Sequence, residues 1–205
     1  ERPLFFTSNN PSITKTVYSI FEDDDGNFWS ACWERGLVCT NPKTKKWEQF
    51  SLPDNRIYCV NTSVDPSLFV IGTWGGGLHV FNKDTKETQS FRKENNGSKN
   101  IVHNTIYCTF VDQNGLLWVG THGGGISLCD NQRSWFKTLS AKNGNSVSIN
   151  EAHIQYIEED NTGSFWIGIK NKGICYYNPK TSSVKEYLFS TGKVPFSLVY
   201  CIHQA

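Results

Sequence analysis

The chain has 205 residues, with 20 Lys and Arg against 19 Asp and Glu and a net charge of +1. That balance supplies no basic face for a phosphate backbone, so no nucleic acid is expected as a partner. No apolar run approaches the length of a membrane-spanning helix, so no membrane span is expected in this segment.

In chain order, a lone apolar stretch, Leu4-Phe5-Phe6, comes first. A full unit then opens on Val17-Tyr18-Ser19-Ile20. It turns at Asp23-Asp24-Asp25-Gly26-Asn27, continues through Phe28-Trp29, and turns again up to Gly36. It runs on through Leu37-Val38-Cys39 and closes around Trp47–Phe50. The same order recurs from Ile57-Tyr58-Cys59-Val60, from Ile106-Tyr107-Cys108-Thr109 and from Ile154-Gln155-Tyr156-Ile157, and Val199-Tyr200-Cys201-Ile202 opens a fifth. Successive openings lie 40 to 49 residues apart. Each unit predicts four short strands joined by turns, and no segment sustains a helical period. Four-stranded units at this spacing predict an all-β fold, an arc of antiparallel β-propeller blades. The blades are placed at about 17–50, 57–92, 106–139 and 154–189, with stray strands at 4–6 and 199–202. The stray strands are read as belonging to two further blades, so the chain is expected to be part of a larger ring.

The seven cysteines, Cys32, Cys39, Cys59, Cys108, Cys129, Cys175 and Cys201, contain no CxxC pair. They are read as small buried hydrophobes rather than a zinc or redox site.

The repeated pattern is best preserved in Phe110-Val111-Asp112-Gln113-Asn114-Gly115-Leu116-Leu117-Trp118-Val119-Gly120-Thr121-His122-Gly123-Gly124-Gly125-Ile126 and in Ile157–Gly168. It resembles the two-component regulator propeller repeat. Individual turns depart from it: Ala31-Cys32-Trp33 stands for Gly-Thr in the first copy, Asp65-Pro66 for the Asp-x-x-Gly turn in the second, and Ile169 with Lys170-Asn171-Lys172 for the Gly-rich turn in the fourth. The resemblance implies a periplasmic, ligand-sensing segment of a hybrid two-component sensor histidine kinase. The phosphorelay and transcription-regulating chemistry would then reside in other parts of the parent, and the parent is expected to dimerise. It also implies carbohydrate sensing, with an oligosaccharide as the expected ligand. Two alternatives stand beside it: an interaction and dimerisation scaffold with no ligand site, and a propeller lyase or hydrolase.

Gly72-Thr73-Trp74-Gly75-Gly76-Gly77 has the look of a phosphate cradle, but it lacks the Lys-Ser/Thr of a P-loop and no helix follows. It is read as a tight turn. The acidic turn Glu22–Asn27 lacks calcium-loop spacing, so no metal is expected. No cofactor and no catalytic residue are expected. Aligning the turns brings Trp33, Trp74, His122 and Lys170 to one equivalent position, where residue type varies between blades. The segments entering the first strands bring Lys15, Arg56, His103, Asn104 and His153 to the same face. Variable side chains on a fixed scaffold are where a propeller reads its ligand, and aromatic faces beside polar donors suit sugar rings. Trp33, Arg56, Trp74, His103, His122, His153 and Lys170 are therefore the candidate ligand residues.

Overall fold

A computed structural model describes residues 16–93, 100–130, 135–139 and 152–192, with isolated positions at 149, 195, 199 and 200. Among the described residues, sixteen strands form four antiparallel sheets of four, each in sequence order. The first holds β1 (Val17–Glu22), β2 (Phe28–Cys32), β3 (Gly36–Thr40) and β4 (Trp47–Phe50). The second holds β5 (Ile57–Thr62), β6 (Leu68–Thr73), β7 (Leu78–Asn82) and β8 (Thr88–Phe91). The third holds β9 (Ile106–Val111), β10 (Leu116–Thr121), β11 (Ile126–Asp130) and β12 (Trp135–Thr138). The fourth holds β13 (Ile154–Glu159), β14 (Phe165–Ile169), β15 (Gly173–Asn178) and β16 (Ser183–Leu188), followed by a single 3-10 turn, Phe189–Thr191. The fold is the all-β propeller architecture that the repeats predict. Leu4–Phe6 and residues 201–202 lie outside the described residues. Among the described residues, no helix is long and apolar enough to cross a membrane.

The inner strands pack in sequence, β1 on β5, β5 on β9 and β9 on β13. Among the described residues no comparable packing links β13 back to β1. Because sheets face one another, both sides of a blade are apolar, and three clusters fill the seams. Trp29, Phe50, Phe69 and Phe81 join the first blade to the second. Trp118 stacks on Phe165 at 4.0 Å between the third and fourth. Seams also need close backbone approach. A Cβ on Gly72 would fall 2.7 Å from Ile106 Cγ2, and one on Gly120 would fall 2.8 Å from Ile154 Cγ2. These glycines let the first residue of the next inner strand nest against the blade before it. Val199 lies in the same relation to Gly168, its Cγ1 3.0 Å from where a Cβ would stand.

The outer ends of the hairpins are held by an aspartate clasp. Asp23 accepts hydrogen bonds from the backbone N–H of Asp25 and Asn27 and, at 2.7 Å, from Trp29 Nε1. Asp112 does the same with Asn114 N, Leu116 N and Trp118 Nε1. The carboxylate thus ties the turn to the core indole six residues on. In the fourth blade Asp160 takes Thr162 N, Ser164 N and the Tyr176 hydroxyl instead. Its Trp166 is half-buried, packing on Tyr176 and Tyr187. Burial pushes Asp23 and Asp160 upward, but these hydrogen bonds outweigh it and hold both below the ordinary carboxylate range, Asp160 at about 2.

Cys32, Cys59, Cys108 and Cys175 are buried, and burial raises each thiol, Cys59 to about 11 and Cys175 to about 12. They act as small hydrophobes. His79 on β7 is 1% exposed, with Nδ1 on Ser90 Oγ at 2.8 Å and no partner for Nε2 among the described residues. Burial holds its imidazole at about 4.

Two predictions follow from these buried groups. Asp112→Ala strips the partner from two turn N–H groups and the Trp118 indole, so it should cost about 2–4 kcal/mol in urea unfolding. His79 stays neutral in the fold below its ordinary value of 6.5, so the unfolded chain takes up the proton first. Stability from this group is present above pH 6.5 and is lost as pH falls toward 4, by up to about 3 kcal/mol. His79→Gln should flatten that part of the stability–pH profile.

Candidate functional site

The four inner strands share one irregularity. Val17 pairs with Cys32 and Ser19 with Ala31, Ile57 with Thr73 and Cys59 with Gly72. Ile106 pairs with Thr121 and Cys108 with Gly120, Ile154 with Ile169 and Tyr156 with Gly168. In every blade one residue is left over: Tyr18, Tyr58, Tyr107 and Gln155. A bulge releases its residue from the ladder and re-aims the side chain. Here it turns them into a common cavity of about 430 Å³, lined by Tyr18, Tyr58, Trp74, Tyr107, Gln155, Lys170 and Tyr200.

The turn residues meet them from above. The backbone N–H of Trp33, Trp74, His122 and Lys170 donates to the carbonyls of Thr16, Arg56, Thr105 and His153 respectively, at 2.9–3.0 Å. Each variable residue is thus pinned by its backbone to the segment entering its own blade, while its side chain takes no part in the pinning. The rings form a continuous ledge across three blades. Tyr18 lies 4.8 Å from Tyr58 and 5.6 Å from Trp33, and Tyr58 lies 5.2 Å from Tyr107 and 5.5 Å from Trp74. Trp74 reaches His122 at 5.7 Å. Most contacts are tilted or edge-on, as ring quadrupoles prefer.

Beyond His122 the ledge becomes imidazole. His122 is 5.6 Å from His103 and 4.1 Å from His153. Burial first, then the charge of His122, lowers the pKa of both His103 and His153; Lys93 adds to the effect on His103, and Lys170, His103 and Lys172 to that on His153. Burial first, then its neighbours Tyr18 and Tyr107, raises Tyr58 to about 12, so the ledge phenol is a hydrogen-bond donor. Gln155 Oε1 and His153 Nδ1 are buried with no hydrogen-bond partner among the described residues. Among the described residues no group of three His, Cys, Asp or Glu is arranged to hold a metal ion.

Of the residues singled out from sequence, Trp33, Trp74, His103, His122, His153 and Lys170 converge on this mouth. Arg56 reaches the same rim, but its guanidinium is committed to Asp54 at 2.7 Å. Asn104 serves the turn: its carbonyl accepts from Gly75 N and Gly77 N, and its Oδ1 accepts from Lys93 N. Those bonds occupy the N–H groups a phosphate cradle would need, and φ at Gly75 and Gly77 is +96° and +89°. Gly72 and Thr73 end β6, and Trp74–Gly77 is the turn. Lys15 lies outside the described residues. Sequence reasoning passed over the bulge residues because the tyrosines read as ordinary strand consensus. Their recurrence between two buried neighbours, as in Ile57-Tyr58-Cys59, was the available signal.

A family model described as the two-component regulator propeller matches residues 11–34 and 100–123. These spans contain β1–β2 and β9–β10. No curated protein matches the sequence. Among solved structures, the chain is similar to an extracellular domain assigned to a hybrid two-component system of B. thetaiotaomicron, with a TM-score of 0.78 and 20% identity over 92% of this chain and 26% of that one. A second such domain from the same organism gives a TM-score of 0.68 and 25% identity over 84% of this chain and 25% of that one. A catalytically inactive virginiamycin B lyase from Staphylococcus aureus gives a TM-score of 0.67 at 14% identity, over 91% of this chain and 59% of that one, a likeness of fold alone. The chain spans about a quarter of the length of the two sensor domains.

His122 stands between the two other imidazoles, adding charge and excluding water. His122→Ala should therefore raise the pKa of both His103 and His153, followed through their ring-proton shifts in an NMR titration.

Proposed function

We propose that this chain is a ligand-sensing segment of an extracytoplasmic propeller belonging to a two-component sensor, and that its mouth takes an oligosaccharide. The observation that carries the reading is the ledge of bulge tyrosines and turn tryptophans lining one cavity. Sugar rings present apolar C–H faces to such rings and hydroxyls to the polar groups at their edges. Gln155 and Tyr58 both line that cavity, and Gln155 Oε1, buried behind it, has no hydrogen-bond partner among the described residues. The repeat match and the resemblance to two sensor domains support the signalling context. The segment itself performs no chemistry on its ligand. Occupancy would bridge neighbouring blades, and the change would pass to catalytic domains elsewhere in the parent.

Trp74 borders both the second-blade tyrosine and the third-blade histidine, so a ligand on the ledge quenches or shifts its fluorescence. Titrating oligosaccharides against wild type should give a saturable signal, and Trp74→Ala should weaken binding about tenfold in calorimetry. Equal affinity in wild type, Trp74→Ala and Tyr58→Ala would remove the ledge from the site.

A further inference from the structure

The mouth is chemically polar along its length. Over the first two blades it is mainly aromatic, with Tyr18, Trp33 and Tyr58 in mutual contact and Trp74 on Tyr58, and its rim cation, Arg56, is paired with Asp54. Over the third and fourth it carries His103, His122, His153 and Lys170. The charged groups acting on His103 and His153 are His122, Lys93, Lys170 and Lys172 besides one another, all of one sign. No ion pair between described residues engages Lys170 or Lys172. The cation at the second-blade rim, by contrast, is matched: Arg56 pairs with Asp54. A partly buried, one-signed cluster left uncompensated at the end of a binding groove raises the local concentration of anions and is completed by one.

We propose that the ligand is an acidic oligosaccharide, its neutral rings lying on the Tyr18–Trp74 ledge and its anionic substituent seated among His122, His153 and Lys170. This rests on the oligosaccharide reading above and adds its charge class and its direction along the arc. The anion can be a uronate carboxylate or a sulfate ester, since both accept hydrogen bonds from imidazolium and ammonium donors. His153 Nδ1, at that end, is buried with no hydrogen-bond partner among the described residues. Burial and neighbouring cations oppose protonation of His103 and His153, so an anion that favours their charged form binds more tightly as pH falls.

The test is calorimetry with three probes: trigalacturonate, its full methyl ester, and a sulfated galactose trisaccharide. Trigalacturonate or the sulfated sugar should bind at least tenfold more tightly than the methyl ester, with the advantage growing from pH 8 to pH 6 and shrinking with added salt. Which of the two leads identifies the anion. In the double variant H122Q/K170Q the affinities of acid and ester should converge. An ester that binds wild type as tightly as both acidic sugars overturns the acidic assignment and leaves the oligosaccharide reading standing. A preference that survives in the double variant overturns the placement at His122 and Lys170. Binding by none of the three overturns both readings.

Discussion

A middle strand and the inner strand of the next blade approach too closely to hold a side chain between them. At Gly72 and Gly120 there is no room for a side chain, because Cys59 or Cys108 and the branched chains of Ile106 or Ile154 already fill it. That one contact fixes the spacing of the blades, and the spacing in turn allows Trp118 to stack on Phe165 and Trp29 to meet Phe69. Large aromatic rings can fill a seam only if its backbone edges converge where the rings do not reach. The first blade meets the same demand with Ala31, fully buried, in place of glycine.

The same spacing organises the mouth. Inner strands that lie side by side bring their bulge residues within ring contact, so Tyr58 touches both Tyr18 and Tyr107. The turns follow because each is hydrogen-bonded to its own inner-strand entry. A ligand spanning the ledge would touch several blades at once, and its binding would register as a change in how the blades sit together.

Much of this was legible in the sequence. The Asp-x-x-Gly turn followed by Trp recurs because the clasp at Asp112 needs those residue types, and the strand glycine after the Trp recurs because the seam at Gly120 has no room for a side chain. The position shared by Trp33, Trp74, His122 and Lys170 was readable by aligning repeats, since backbone hydrogen bonds hold it regardless of side chain. The bulges were not legible, because they are a property of pairing register, and Tyr107 and Phe110 look alike in a string of apolar letters. The fate of Arg56 was hidden for a different reason: its partner, Asp54, lies two residues away within the same connecting segment, where no repeat comparison isolates it. The meeting of His103, His122 and His153 depends on arc curvature, which spacing alone does not encode.

The bulge residues carry a consequence for how such a surface can change. A side chain outside the ladder register contributes little to strand pairing, and Gln155 occupies the tyrosine's place in the fourth blade while its strands pair as the others do. The lining can therefore drift one residue at a time while the clasps and seams stay untouched. Stability and selectivity are written in separate positions of the same repeat. A point substitution there alters the chemistry of the cavity while the clasps and seams of the repeat are left as they are.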